Sequence, residues 1–79
     1  PNPFNPSTII KYALPKSEHV TITVYNTLGQ VIETLINNPM PIGHHQVEFN
    51  GHNIPSGVYF YRLEAGDRVA TQKVVIIQR

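Results

Sequence analysis

Apolar and polar side chains alternate one by one along almost the whole chain, and helical periodicity is nearly absent. Alternation of period two places successive side chains on opposite faces, which suits a pleated strand with one face on a core and suits nothing helical. In residues 8–14, Thr8, Ile10, Tyr12 and Leu14 share one face, and Ile9, Lys11 and Ala13 the other, before Pro15 ends the run. Lys16, Ser17 and Glu18 form the polar turn that follows, and residues 19–26 are the cleanest strand, with Val20, Ile22 and Val24 facing one way. β-branched residues dominate there, as a pleated surface favours. Asn26 to Gly29 turns the chain, with Gly29 expected at positive φ.

The facing of residues 31–36 is ambiguous. Ile32 and Leu35 both read as buried but lie three apart, which either a β-bulge or a short helical turn would reconcile. Residues 37–41, Asn-Asn-Pro-Met-Pro, predict a firm break. In residues 44–50, His45, Val47 and Phe49 share a face, and Asn50-Gly51 is a strong turn dipeptide. The segment Pro55-Ser56-Gly57 closes that loop, with Gly57 permitting the turn into the next strand. Residues 58–65 set Tyr59, Tyr61 and Leu63 against Val58, Phe60 and Arg62, and Gly66-Asp67 reads as a hairpin turn. Residues 69–77 become continuously apolar at Val74, Val75, Ile76 and Ile77, which predicts a strand covered on both faces. Short strands at near-regular spacing with Gly, Pro and Asn turns predict an all-β, immunoglobulin-like antiparallel β-sandwich of six to seven strands.

A chain of 79 residues is one domain. A domain this small buries only about 60–65% of the surface that it exposes when unfolded. It has no cysteine, so no disulfide compensates for a thin core. The net charge is +1 with no basic run, which argues against nucleic acid as a partner. The apolar stretch at residues 74–77 is far shorter than the roughly 20 residues a membrane-spanning helix needs. Pro1-Asn2-Pro3-Phe4-Asn5-Pro6 removes amide donors and keeps the chain extended, so residues 1–6 read as the exit from a linker. The expectation is a single sandwich over residues 7–79, joined through residues 1–6 to a functional part upstream.

Taken in order, these segments resemble the C-terminal sorting domain of the type IX secretion system of Bacteroidota and related Gram-negative bacteria. The opening PNPFNPSTIIKYALP, with Asn2, Pro3, Asn5 and Pro6, is similar to the family's opening motif. VTITVYNTLGQVIETL is similar to its strand, Tyr-Asn turn and next strand, and GHHQVEFNG to its Gly-x-His-x-Val-x-Trp-Asp/Asn-Gly stretch. PSGVYFYRLEAG, with Gly57, Tyr59 and Tyr61, is similar to its Ser-Gly-Val-Tyr-Phe-Tyr core, and TQKVVIIQR to its terminal strand. Two residues depart from the pattern: Phe49 stands for the usual tryptophan, and Gln72 precedes Lys73 where a second lysine is common. An immunoglobulin-like module of the flagellar hook-cap protein shares the middle motifs, but the Asn-Pro-Phe-Asn-Pro opening and the apolar ending favour the sorting domain.

The resemblance implies a non-catalytic tag that carries a secreted cargo from the periplasm across the outer membrane to the cell surface. It implies as partners the upstream cargo domain, the type IX translocon with its outer-membrane shuttle barrel, and a sortase-like peptidase. The shuttle barrel would read the terminal segment Lys73, Val74, Val75, Ile76 and Ile77. The residues favour this on their own account: high β propensity, low charge and a chain end suit recognition by strand addition. The plainer reading is that the same strand only completes the sandwich.

Catalytic and metal chemistry find little support. Ser7, Ser17 and Ser56 lack a base and orienter nearby, and Glu33, Glu48 and Glu64 fall on separate strands. His44 and His45 point to opposite faces, His19 and His52 fall at predicted turns, and no zinc-type ligand spacing exists. Asp67 stands alone where calcium needs several oxygens. No catalytic residue, metal site or cofactor is therefore expected, and His45 reads as a half-buried hydrogen-bonding group. The competing functions are a carbohydrate-binding accessory module and a dimerisation or assembly module. The first needs an exposed aromatic row; the chain has no tryptophan, and Tyr25 is the tyrosine least committed to a core face.

Overall fold

The computed structural model describes residues 6–78. The opening-motif residues Asn2, Pro3 and Asn5 therefore lie outside the described residues, as does Arg79. Six strands follow in order: β1 (Ser7–Leu14), β2 (Glu18–Tyr25), β3 (Val31–Met40), β4 (Gly43–Asn50), β5 (Gly57–Ala65) and β6 (Arg68–Ile76). They form two antiparallel sheets, a two-stranded β1-β4 pair and a four-stranded sheet in the order β3-β2-β5-β6. The chain crosses from the small sheet to the large one after β1, returns after β3, and crosses again after β4. The result is the expected all-β, immunoglobulin-like sandwich, with six strands.

The core lies where the alternation places it. Val20, Ile22 and Val24 on β2 have no exposed surface. They cluster with Ile10, Leu14 and Phe49 from the small sheet and with Tyr59, Ala65 and Ile76 from the large one. Phe49, in the position of the expected tryptophan, is completely enclosed and is the largest of the fully buried side chains. Enclosing a side chain of this size contributes about 1.5–3 kcal/mol. Ile9, Lys11 and Ala13, on the other face of β1, are exposed.

The ambiguity in β3 resolves as β-bulges. Ile22 pairs with Ile36 but Thr23 with Thr34, so Leu35 has no direct partner; Val24 pairs with Glu33 but Tyr25 with Val31, so Ile32 has none. Two extra residues let Ile32 and Leu35 both pack against the core. The expected break at residues 37–41 comes later, because β3 continues to Met40 and pairs Pro39 with His19. β3 is an edge strand, where a proline costs no ladder bond if its nitrogen faces outward. His19 lies in β2, as the strand reading of residues 19–26 expects and not at the preceding turn, and its Nε2 donates to Asn37 Oδ1 at 2.6 Å.

Gly29 (φ 82°) and Gly66 (φ 62°) occupy the left-handed region that their turns require. Asn26 holds the first turn, its Oδ1 accepting from the amides of Leu28 at 2.9 Å and Gln30 at 3.0 Å. Gly57 does not supply the turn expected of it. It is the first residue of β5, lies outside the left-handed region, and a Cβ there would make only an ordinary 3.9 Å contact with Tyr59. The glycine that matters for packing is Gly51. A Cβ on it would lie 2.9 Å from Ile76 Cδ1 and 3.0 Å from the Pro6 carbonyl oxygen, which also accepts the Gly51 amide at 2.9 Å.

Tyr59 is 6% exposed and its hydroxyl donates to the Pro55 carbonyl at 2.7 Å. Tyr61 is only half-buried. Across the β1-β2 and β3-β4 connections, Ile42 N donates to Ser17 Oγ at 3.2 Å, and Arg68 pairs with Glu18 where β6 begins.

Two substitutions test this packing by urea denaturation. Tyr59→Phe, which leaves the Pro55 carbonyl unanswered, is expected to cost about 1 kcal/mol, and Tyr59→Ala about 3–5 kcal/mol. Gly51→Ala is expected to cost about 1–3 kcal/mol, because neither the Pro6 backbone nor Ile76 can retreat freely. A Gly51→Ala midpoint equal to wild type would refute the close approach.

Candidate functional site

The terminal segment is placed by β6, whose only strand neighbour among the described residues is β5. The two pair without interruption from Gly57 opposite Ile76 to Ala65 opposite Arg68. Its alternation is regular: Val74 is half-buried and Ile76 is 3% exposed on the core side, while Val75 and Ile77 are 56% and 63% exposed on the outer side. This corrects the expectation of a strand covered on both faces. The apolar run is continuous because one face packs on the core while the other carries valine and isoleucine into solvent. Lys73 is exposed on that same outer face, opposite Phe60, and Val75 lies opposite the exposed Val58. Val58, Val75 and Ile77 thus form an apolar corner flanked by one ammonium.

The two edges of the four-stranded sheet are unlike. β3 carries two bulges and Pro39, features that spoil a template for further pairing. β6 carries neither, and its backbone groups on the side away from β5 face no strand among the described residues. An unbulged, β-branched edge is the kind that another extended chain can join.

The end of β6 is held from a distance. Gln78, half-buried, directs its Nε2 donor group at the carbonyls of Gly51, His52 (3.3 Å) and Ile54 (2.7 Å). Its backbone N–H donates to Ser56 Oγ at 2.8 Å. The loop over residues 51–56 therefore receives both the Ile76 side chain, against Gly51, and the Gln78 amide. Sequence reasoning missed Gln78, Gly51 and Ser56 as a group. They stand 22 and 27 positions from Gln78, and no short-range pattern announces that they meet.

Other clusters offer little chemistry. Tyr12 and His45 stack with ring centroids 5.3 Å apart, and His45 Nε2 donates to the Pro41 carbonyl at 2.7 Å. His45 is thus the half-buried hydrogen-bonding group expected, while His44 on the opposite face is exposed. Burial pushes the Tyr12 hydroxyl above its ordinary range. An open groove of about 580 Å³ beside this pair is lined by Lys11, Ala13, His44 and Gln46, a set with no carboxylate and no activated nucleophile. Among the described residues, no three His, Asp or Glu side chains gather as metal ligands would. Arg62 and Glu64 approach to 3.7 Å on the solvated face, a pair worth little. Tyr25 and Phe60 lie opposite each other on the outer face but are half-buried.

No curated protein and no solved structure matches the chain. A family model described as "Secretion system C-terminal sorting domain" matches residues 1–77, nearly the whole sequence. The chain belongs to this family, the C-terminal sorting domains of type IX secretion, which direct a secreted cargo protein across the outer membrane to the cell surface or beyond.

Proposed function

We propose that the domain acts as a ligand and not as an enzyme, and that the part read by the secretion machinery is the free edge of β6 with Lys73, Val74, Val75, Ile76 and Ile77. The observation that carries this is the edge: β6 is a regular strand whose flank away from β5 meets no strand among the described residues, and Val75 and Ile77 are exposed at its end. Main-chain hydrogen bonds along such an edge give affinity, and the outward side chains give specificity. Val74 and Ile76 serve by anchoring the strand to the core. Gly29, Phe49, Tyr59 and Tyr61 serve by maintaining the sandwich that presents it. Residues 1–6 connect to an upstream cargo, and residues 7–79 are the sorting unit. The outer-membrane shuttle barrel is the reader, and a sortase-like peptidase acts on the cargo after passage.

A second reading, self-association, is favoured by one observation on the same edge. Antiparallel pairing of two β6 strands centred on Gln72 would set Val69 of one copy against Val75 of the other, and Thr71 against Lys73. Val69 and Val75 are both exposed, and no like charges oppose at those pairs. Sedimentation of the 79-residue chain tests it; a monomer at high concentration excludes it. A carbohydrate-binding role is disfavoured because every described tyrosine and phenylalanine is buried or half-buried, which leaves no exposed aromatic row among the described residues.

Two changes in a full-length, signal-bearing parent test the main reading. Removing residues 74–79 is expected to trap the cargo in the periplasm. The double substitution Val75→Asp and Ile77→Asp, at positions more than half exposed, is expected to cost about 1–2 kcal/mol of stability, leaving the domain folded, yet abolish surface display. Normal display of either variant would overturn the assignment of the β6 edge.

A further inference from the structure

We propose that Gln78 is the positioning residue of the sorting strand, a latch that clamps the end of β6 onto the 51–56 loop so that its outer edge is presented as a strand. The proposal rests on the reading of β6 as the recognised edge.

β6 ends at Ile76, and a segment just past the end of a strand has lost its ladder bonds and opens at little cost unless other partners hold it. Here the loop supplies partners. Three carbonyls, of Gly51, His52 and Ile54, converge on the single Gln78 Nε2, and Ser56 Oγ accepts its backbone amide. A carboxamide nitrogen carries two hydrogens, so three acceptors share them, with His52 the weakest at 3.3 Å. A cluster of carbonyl oxygens is a site for a donor and repels an acceptor. The loop reaches this geometry because Gly51 lacks a Cβ, which lets Ile76 approach and brings the Gly51 carbonyl beneath the terminal side chain.

The consequence lies in the residues between the two anchors. Ile76 is fixed by Gly51 on the core side, and Gln78 is fixed by the loop two residues later. Ile77 is held between them and projects outward with Val75. Without the Gln78 bonds, only Ile76 would define the last turn of the pleat, and the outer side chains would lose their fixed spacing. Preordering the edge spares the reader the entropy of ordering it on contact. Gln78 contributes no surface of its own to that edge. It acts through Val75 and Ile77.

The test compares Gln78→Glu, an isosteric change from donor to acceptor, with Gln78→Lys, which restores a donor. Amide hydrogen exchange is read on the 79-residue chain, and surface display on the full-length parent. Gln78→Glu is expected to speed exchange at residues 74–78 roughly tenfold or more while leaving β2 protected, and Gln78→Lys to restore most of the protection. Surface display should fall with Gln78→Glu and recover with Gln78→Lys. Unchanged exchange in Gln78→Glu would overturn the latch. Faster exchange with normal display, in a parent whose deletion of residues 74–79 traps cargo, would overturn the positioning role. If that deletion itself leaves display intact, the reading of β6 falls and the positioning role with it, although the exchange difference stands.

Discussion

Everything in this domain depends on burying one face of β2. Val20, Ile22 and Val24 have no exposed surface, and they cluster with Ile10, Leu14 and Phe49 of a sheet only two strands wide. Two strands cannot cover four. The inner faces of the central strands β2 and β5 are covered, while the outer strands extend past the cover, so that on β6 only the terminal positions Val74 and Ile76 reach the core. With no cysteine to reinforce it, the fold depends on these core side chains, and loss of a large one removes a sizeable share of its stability. The same narrow cover that limits stability also leaves an edge available.

The two edges of the sheet are managed unequally, and the proposed recognition of β6 rests on that difference. Natural sheets blunt their edges because an unpaired strand invites aggregation. β3 follows this rule with bulges at Ile32 and Leu35 and with Pro39 near its end. β6 departs from it. Its charges, Arg68 and Lys73, sit near one end and in the middle, Arg68 is paired with Glu18, and its last residues are valine and isoleucine. A folded tag carried at a chain end needs one surface that differs from an ordinary soluble domain, and an open strand end with an apolar corner is such a surface. The loop over residues 51–56 lets that end remain ordered while exposed, through Gly51 beneath Ile76 and the carbonyls around Gln78.

Much of this is legible in the amino-acid pattern alone. The two-residue period assigns Ile10, Leu14, Val20, Ile22, Val24 and Phe49 to the core because side-chain facing in a strand is a local property. Gly29 and Gly66 are legible because a turn at positive φ excludes most other residues. The errors have equally specific causes. The Asn-Asn-Pro-Met-Pro segment reads as a break, yet an edge strand tolerates a proline, and edge position is not a local property. The terminal apolar run reads as doubly covered, yet no layer among the described residues lies over its outer face. Gly57 reads as a turn residue because it follows Pro55-Ser56, while the constrained glycine is Gly51, whose neighbours come from both ends of the chain.

The sequence by itself therefore determined the all-β class, the core facing of β1, β2 and β4, and the family, since alternation, turn chemistry and ordered motifs are all written along the chain. Only the tertiary structure decided which strand has an open edge, which side of the terminal run meets water, and that Gln78 closes onto a loop 24–27 residues away. The reason is physical. Sheet order and the width of the covering layer are set by which strands pair across long separations, and no short-range pattern carries that information.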